Sequence, residues 1–348
     1  TKILAYRGLN RQSLEEAQAG DIVAIAGVAK GTVADTLCDL SVTEAIEAQP
    51  IDPPTLIMTF AVNDSPLAGR EGDKVTSRVI AERLQKEAEG NIALKISTTP
   101  NSDAFEVAGR GELQLGVLIE TMRREGFELS ISRPRVVFHK DENGQILEPV
   151  DEVVVDVDEE FSGTVVEKMG TRRAELIEMI PAQAGGKVRL IFHAPTRGLI
   201  GYHSEFLTDT HGTGVMNRSF YEYEPYKGEI EGRRNGVLIS SENGTAIAYS
   251  LWKLEDRGPM FIDPNVPVYV GMIIGEHTKP NDLEINPCRS KQLTNIRAAG
   301  KDEAISLTPP RRISLEEGLS YIQDDELLEV TPKTIRLRKR ILDPIQRK

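Results

Sequence analysis

The feature that most constrains this fold is a β-α-β-β-α-β order of segments that occurs twice along the chain. Residues 149–225 carry the second copy. Residues 51–140 carry the first, with apolar strands at 55–62, 92–97, 104–108 and 127–131 and helical spacing of apolar residues at 73–89 and 111–124. Each copy predicts a ferredoxin-like split βαβ module, which we call the first module and the second module.

The remaining residues predict two β-rich domains. Residues 1–50 contain short strands at 21–27 and 36–38, too few to close a barrel, and so predict a partial β-barrel. Residues 226–348, the C-terminal region, predict a mostly β domain. In it, strands at 237–240 and 246–252 flank an Asn-Gly dipeptide that favours a hairpin turn. The predicted fold class is therefore α+β with several domains.

Three shorter segments carry specific predictions. Lys140–Pro149 contains turn-forming residues, and we expect a short linker between separately folded modules. Asn281–Asp302 lacks periodicity and is long for a loop, which predicts a basic loop that is mobile alone and ordered on a binding partner. Ser314-Leu-Glu-Glu317 predicts a capping box at the start of a short helix.

Composition limits the classes of function. The net charge of −12 disfavours general polyanion binding, so any contact with nucleic acid must come from local basic patches. Cys38 and Cys288 are far apart and predict reduced thiols in a cytoplasmic protein. No apolar run reaches the length of a membrane helix. The chain starts at Thr1, which we interpret as an internal position of a longer protein.

Motifs for catalysis are missing from the sequence. No GxxxxGK[ST] phosphate loop occurs, so we expect no GTP binding or hydrolysis by this chain. His203 and His211 are eight residues apart, which is not the spacing of a helical zinc pair. We therefore predict no catalytic residue, no metal site and no cofactor in these residues.

Three basic patches are the positive signal, because guanidinium, ammonium and amide groups suit RNA phosphates and unpaired bases. The first is in the long loop, the second is C-terminal, and the third ends the first helix of the second module. Their residues are Arg289, Lys291, Gln292, Asn295, Arg297 and Lys301; Lys333, Arg336, Arg338 and Arg340; and Lys168, Arg172 and Arg173. The alternatives are a solvated loop, an edge strand guarded by charge, and cations that complement a helix dipole.

Several ordered motifs resemble the BipA/TypA family of bacterial translational GTPases over essentially the whole chain. The motifs are Thr196-Arg-Gly-Leu-Ile-Gly-Tyr202, Phe206-Leu-Thr-Asp-Thr-His-Gly-Thr-Gly214, Arg234-Asn-Gly-Val-Leu238, Val270-Gly-Met-Ile-Ile-Gly-Glu-His277, Lys291-Gln-Leu-Thr-Asn-Ile-Arg297, Asp325-Glu-Leu-Leu-Glu-Val-Thr-Pro332 and Ile335-Arg-Leu-Arg-Lys-Arg340. The resemblance implies that residues 1–50 belong to the barrel domain of a translation factor. It also implies modules similar to domains III and V of elongation factors and a family-specific domain at 226–348.

The same resemblance implies a function. We expect this portion to bind the bacterial ribosome, contacting rRNA, A-site tRNA and ribosomal proteins near the factor-binding site, and to serve ribosome assembly and stress adaptation. GTP and Mg²⁺ are expected only in an N-terminal domain that this sequence does not contain, and neither DNA nor a membrane is expected as a partner. The alternative is a protein–protein interaction module without RNA contact, which the acidic net charge favours.

Overall fold

The N-terminal residues form a small antiparallel sheet in a computed structural model. The structure describes residues 2–8, 10–28, 31, 35–47, 53–91, 93–99, 103–181, 186–230, 232–290 and 306–347. Strands β1 (Lys2–Arg7), β2 (Asn10–Leu14) and β3 (Val23–Ala26) pair in the order β2-β1-β3. Within the described residues this sheet does not close into a barrel, and the predicted strand at 36–38 is not formed.

The first module has the predicted order of elements. They are β4 (Leu56–Val62), α1 (Ser77–Gly90), β5 (Lys95–Thr98), β6 (Ala104–Gly109), α2 (Glu112–Arg124) and β7 (Leu129–Ser132). The strands pair in the order β7-β4-β6-β5. Alternate residues of β4 point into the core with Ile80 and Leu84 of α1, because a strand sends successive side chains to opposite faces.

The second module repeats this topology. Its elements are β10 (Ile146–Val157), α3 (Glu159–Thr171), β11 (Glu175–Ile180), β12 (Val188–Pro195), α4 (Tyr202–Asp209) and β13 (Val215–Pro225). The strands pair in the order β11-β12-β10-β13, and a 3₁₀ turn at Thr196–Leu199 precedes α4. Val153, Val155 and Val157 of β10 are fully buried on the face that the helices cover.

The segment between the modules is a hairpin. Strand β8 (Arg135–Val136) pairs with β4, whereas β9 (His139–Lys140) pairs with the start of β10. The side chain of Asp141 accepts backbone N–H groups from Asn143 at 2.9 Å and Gln145 at 2.7 Å, which closes the turn. The two modules therefore lie in separate sheets, and residues 140 and 146–149 of the predicted linker belong to strands of the second module's sheet.

The C-terminal region departs most from expectation. Its strands are β14 (Val237–Ser240), β15 (Gly244–Thr245), β16 (Pro267–Val268), β17 (Met272–Glu276), β18 (Leu283–Ile285), β19 (Glu326–Val330) and β20 (Ile335–Lys339), and its helices are α5 (Ala248–Leu254) and α6 (Leu315–Tyr321). The predicted hairpin is wrong, because β14 pairs with β17 and β18 and most of 246–252 is helical. The predicted capping box is confirmed: Ser314 Oγ accepts from Glu317 N at 3.2 Å, and Glu317 accepts from Ser314 N at 2.9 Å.

One sheet runs through both the first module and the C-terminal region. Strand β19 pairs antiparallel with β7, from Leu327 opposite Ser132 to Val330 opposite Leu129. The resulting ten-stranded sheet has the order β18-β14-β17-β20-β19-β7-β4-β6-β5, with β8 paired to β4. The first module is therefore joined to the chain's last strands by backbone hydrogen bonds.

A buried polar network reinforces this joint between β7 and β19. Glu329 of β19 is fully buried and accepts hydrogen bonds from Asn63 at 3.0 Å, Ser65 at 2.7 Å and Tyr269 at 2.6 Å. Beside it, the buried carboxylate of Glu128 accepts three backbone N–H groups, from residues 69, 71 and 72, at 2.7 to 3.0 Å. Buried carboxylates need such partners, so these contacts fix the loop after β4 against both regions.

Candidate nucleic-acid interface

The three cations predicted as the third patch lie together at the C-terminal end of α3. Lys168 and Arg172 both donate to the carboxylate of Glu205 on α4. The Arg172 guanidinium also lies 4.7 Å from the ring centre of Tyr202. Arg173 has a positive φ of 64° and donates to the backbone carbonyl of Glu229 at 3.2 Å. The structure therefore brings Lys168, Arg172 and Arg173 into one cluster, which we call the α3 cluster.

The α3 cluster keeps a positive surplus. Burial alone would raise the pKa of Glu205, but the hydrogen bond from Lys168 and the charge of Arg172 outweigh it and lower that pKa. The hydrogen bond to Glu205 in turn raises the pKa of Lys168. Lys168 and Glu205 are therefore both charged at neutral pH, and this one carboxylate is shared by two cations.

The α3 cluster lines a cleft of about 700 Å³ between α3 and the segment that follows the second module. Arg234 adds a fourth basic side chain, and Glu167, Glu205 and Glu229 are the acids of its wall. Arg173 is exposed at this cleft, and the side chain of Lys168 is 40% exposed. Exposed cations next to a cleft can bind the phosphates of an RNA strand.

The first patch is only partly described. Arg289 is exposed just after Cys288. The rest of the predicted set lies outside the described residues, so this part stays a prediction: Lys291, Gln292, Asn295, Arg297 and Lys301. The beginning of the predicted loop is ordered, because Leu283–Ile285 forms β18 and pairs in parallel with β14.

The second patch does not form the basic surface that was predicted. Arg336 is 6% exposed and binds Glu329 at 3.1 Å and also Glu71. Arg338 is 1% exposed and binds Asp64. The shared basic face predicted for β20 is wrong at both positions, because β20 lies inside the ten-stranded sheet, between β17 and β19.

Only the two ends of this patch reach the surface. Lys333 is exposed in the turn before β20, and Arg340 is exposed after it, where it donates to the backbone carbonyl of Asp324 at 2.8 Å. Lys339 is buried and binds Asp325 at 2.8 Å and Glu326 at 3.0 Å. Burial would lower the pKa of Lys339, but the charge of Glu326 and the hydrogen bonds to its acidic partners raise it. Most of this basic segment therefore stabilises the fold.

Sequence reasoning missed a larger arginine-lined cleft where the first module, the second module and the C-terminal region meet. Its volume is about 1120 Å³. Each arginine in its wall has a carboxylate partner, such as Glu148 for Arg197 at 2.5 Å and Glu326 for Arg233 at 2.9 Å. The arginines are Arg133, Arg135, Arg172, Arg197, Arg233 and Arg311. The one sequence feature that pointed to this cleft was Arg197 in the Thr-Arg-Gly-Leu motif. Its partner Glu148 lies 49 residues away, so the motif alone could not indicate the ion pair.

A close backbone contact fixes the second module against this junction. Gly201, with φ of 75°, precedes α4, and its N–H donates to Glu112 of α2 at 3.1 Å. A Cβ atom at this position would collide with Ser320 of α6. Glycine is required both by the left-handed backbone and by the space, so this residue holds three parts of the molecule together.

Neither a metal centre nor a membrane-spanning helix is present in the described residues. Among them, no group of three or more histidine, cysteine, aspartate or glutamate side chains could hold a metal ion. The helices that the structure describes include none of the length and apolarity that crossing a membrane requires.

Comparison with known proteins first defines the class. Residues 145–234, which contain the second module, match the family described as the elongation factor G C-terminus. The chain thus carries a module of translation-factor type. Residues 235–344 match the TypA/BipA C-terminal domain, so the two matches together run without a gap from β10 to the end of the ten-stranded sheet.

The particular family follows from relatives that match along the whole chain. The chain is 49% identical over 348 residues to a protein of Haemophilus influenzae and, equally, to one of Bacillus subtilis, each named "Large ribosomal subunit assembly factor BipA". A Synechocystis protein of the same name is 48% identical over 339 residues. The chain belongs to the TypA/BipA family. The first two matches cover the whole of this chain but 56% of the length of those relatives.

Proposed function

We propose that this chain is the ribosome-binding part of a cytoplasmic translational GTPase that acts in assembly of the large ribosomal subunit and in stress adaptation. In this proposal it contacts rRNA and A-site tRNA directly, beside ribosomal proteins of the factor-binding site. GTP and Mg²⁺ would bind elsewhere in the longer protein. Support comes from relatives named as assembly factors of the large subunit and from the module of elongation factor G type.

The α3 cluster carries the proposal of direct RNA contact. Two of its cations, Lys168 and Arg172, share the carboxylate of Glu205, and the third, Arg173, is exposed at the cleft and donates to the backbone carbonyl of Glu229. The exposed Arg289 and the basic residues that follow it in sequence would supply a second contact. The overall acidic charge then favours one orientation on the ribosome, with the basic sites facing RNA.

Cosedimentation with large ribosomal subunits at several salt concentrations tests this proposal. Changing Lys168 and Arg173 to Ala should weaken binding and reduce the salt slope by about one unit for each phosphate that is no longer bound. A matched control changes Lys86 and Arg110, exposed cations of the first module, to Ala. Equal affinity and equal salt slope for the α3 variant and the unchanged chain would contradict RNA contact at this cluster.

A second variant addresses the loop. Changing Arg289, Lys291, Arg297 and Lys301 to Ala should flatten the salt dependence further. It should leave the melting temperature nearly unchanged, since exposed substitutions usually alter stability by less than about 0.5 kcal/mol each. A large fall in melting temperature would show that the loop is packed structure. Unchanged binding would favour the alternative of a protein–protein interaction module.

A further inference from the structure

Strand β11 is an unusual edge of the second module's sheet. It pairs with β12 on one side, and no described strand pairs with its other side. All six of its residues, Glu175 to Ile180, are exposed. Four of them are large and apolar, with exposed fractions of 40% for Leu176, 49% for Ile177, 49% for Met179 and 42% for Ile180.

Natural edge strands are normally protected against pairing with another chain. Lysine, proline and β-bulges are the usual devices. β11 has a register shift between Leu176 and Glu178, but its sequence Glu-Leu-Ile-Glu-Met-Ile contains neither lysine nor proline. Apolar side chains on both faces of an open edge are the arrangement to which an extended peptide adds as a further strand.

The charges beside this edge select the chemistry of such a peptide. Glu175 lies opposite His193, and His193 lies opposite Glu152, so two carboxylates belong to one row across the sheet. Glu178 belongs to the next row, opposite Ile191. These side chains occupy the face that the valine core of β10 does not use. The following row on this face holds Ile180 opposite Arg189, whose guanidinium is paired with Asp156 at 2.7 Å. The edge strand is therefore apolar with two glutamates, and the arginine beside it is already paired with an aspartate.

We propose that β11 binds an extended segment of a partner protein, rich in lysine or arginine and alternating with apolar residues, that adds as a strand to this sheet. Main-chain hydrogen bonds to the free edge would supply affinity, and Glu175 and Glu178 would select basic side chains. RNA does not fit this surface, because phosphates would face carboxylates. A second copy of the chain fits poorly, because pairing of two β11 strands would bring four glutamates together.

This inference is independent of RNA contact at the α3 cluster, and it is tested on the full chain with a defined probe. The probe is a fluorescein-labelled, N-acetylated Lys-Val-Lys-Val-Lys-Val peptide, titrated while fluorescence anisotropy is recorded. The comparison peptides replace the lysines by glutamates, or the valines by prolines, which cannot donate ladder hydrogen bonds. We expect binding by the first peptide alone, with amide NMR shifts concentrated at residues 175–180.

Charge reversal locates the site. Glu175→Lys with Glu178→Lys should weaken binding of the lysine peptide by about tenfold, since two attractive cross-strand pairs become repulsive. The same change at the exposed turn residue Glu142, E142K, should leave binding within about twofold. Retained binding by the double variant, equal binding of the proline peptide, or shifts centred outside 175–180 would overturn the proposal.

Two other occupants are distinguished in the same samples. If a single-stranded oligouridine, titrated without the peptide, shifted the amide signals of residues 175–180, the surface would belong to RNA and the proposal would fail. Analytical ultracentrifugation measures self-association, and a dimer abolished by Ile177→Asp, a change at an apolar side chain of β11 that is 49% exposed, would assign the edge to a second copy instead. Because ribosome binding by the Lys168 and Arg173 variant is measured separately, failure of either proposal leaves the other intact.

Discussion

The two modules share one topology but differ at equivalent edges. In each, the second strand of the β-α-β-β-α-β order lies at the outside of the sheet: β5 in the first module and β11 in the second. β5 has the sequence Lys-Ile-Ser-Thr, and three of its four residues are exposed and polar. β11 exposes four large apolar residues. The same fold thus has one edge suited to water and one suited to a partner.

The opposite ends of the two sheets differ as well. β7 of the first module is covered by β19, whereas β13, the equivalent strand of the second module, has no described strand on its outer side. One module is therefore continued by the chain itself. Within the described residues, the sheet of the other module has no further strand beyond β11 or β13.

The largest expected effect tests the polar network at the joint of β7 and β19. Glu329→Ala removes a partner of the buried Arg336 and frees Asn63, Ser65 and Tyr269, so unfolding should become easier by about 3 to 5 kcal/mol. Urea denaturation measures this. The matched control, Glu178→Ala on β11, should change stability by less than about 0.5 kcal/mol. Similar small effects for both would mean that the joint does not stabilise the fold.

A smaller loss is expected from the apolar side of the same joint. Leu328 is fully buried in the shared core, and Leu328→Ala should cost about 2 to 5 kcal/mol through reduced burial and the cavity left behind. Calorimetry should show the first module and the C-terminal region still unfolding together. Two transitions in the unchanged chain, one for each of these regions, would show that the continuous sheet does not couple them.

Carboxylates in the two modules should change the stability of the fold with pH in opposite directions. Burial would raise the pKa values of Glu71 and Glu128 at the joint, but hydrogen bonds from Thr331 and Thr334 to Glu71 and from backbone N–H groups to Glu128 lower them below 4.5. The contribution of these two carboxylates to stability is present above pH 4.5. It is lost as pH falls through their lowered pKa values in the folded protein. In the second module, burial raises the pKa of Asp151 above 3.8, so ionisation of this group opposes folding as pH rises.

Substitution of Glu71 checks this contrast. Glu71→Gln should lower the melting temperature at pH 7 and flatten its fall between about pH 5 and 3, because an amide cannot titrate. Asp151→Asn should instead remove the loss of stability that ionisation of Asp151 causes as pH rises. The same slope in the Glu71→Gln variant and the unchanged chain would show that other carboxylates govern acid unfolding.

The smallest expected effect concerns the open edge itself. Ile180→Thr on β11 should alter the free energy of unfolding by less than about 0.5 kcal/mol, because Ile180 is 42% exposed and the edge has no partner strand within the described chain. Ile96→Thr on β5 provides the comparison, since Ile96 packs against the core of the first module and should cost more. A larger loss at Ile180 than at Ile96 would reverse the proposed difference between the edges.

Local patterns in the sequence predicted the helices and strands of both modules, because the spacing of apolar residues within one segment is enough to indicate each of these elements. Spacing of apolar residues set the helices, and Ser314 with Glu317 set the start of α6. The Asn-Gly turn misled the prediction, because the Asn243 side chain accepts the N–H of Val270 at 3.0 Å and the following residues turn into α5. Here the preference of the Asn-Gly dipeptide for a hairpin turn is overridden by tertiary contacts with residues elsewhere in the chain.

The remaining errors concern distant partners. Arg336 and Arg338 alternate as a solvent-facing strand would, but their carboxylates on Glu71 and Asp64 lie 265 and 274 residues away in sequence. Pairing of β19 with β7 is equally non-local, and the sequence of neither strand alone indicates its partner. For the candidate interface, the α3 cluster could be predicted because its cations lie within one helical turn and the residues just after it.

The shared sheet also sets an order of events during synthesis of the protein. β7 ends at Ser132 and its partner β19 begins at Glu326, so the outer edge of β7 has no partner while the intervening residues are being made. At about 5 to 20 residues per second, that interval lasts roughly 10 to 40 seconds. The first module must therefore leave the ribosome with an open edge, and β19 closes that edge only after the second module and much of the C-terminal region have been made.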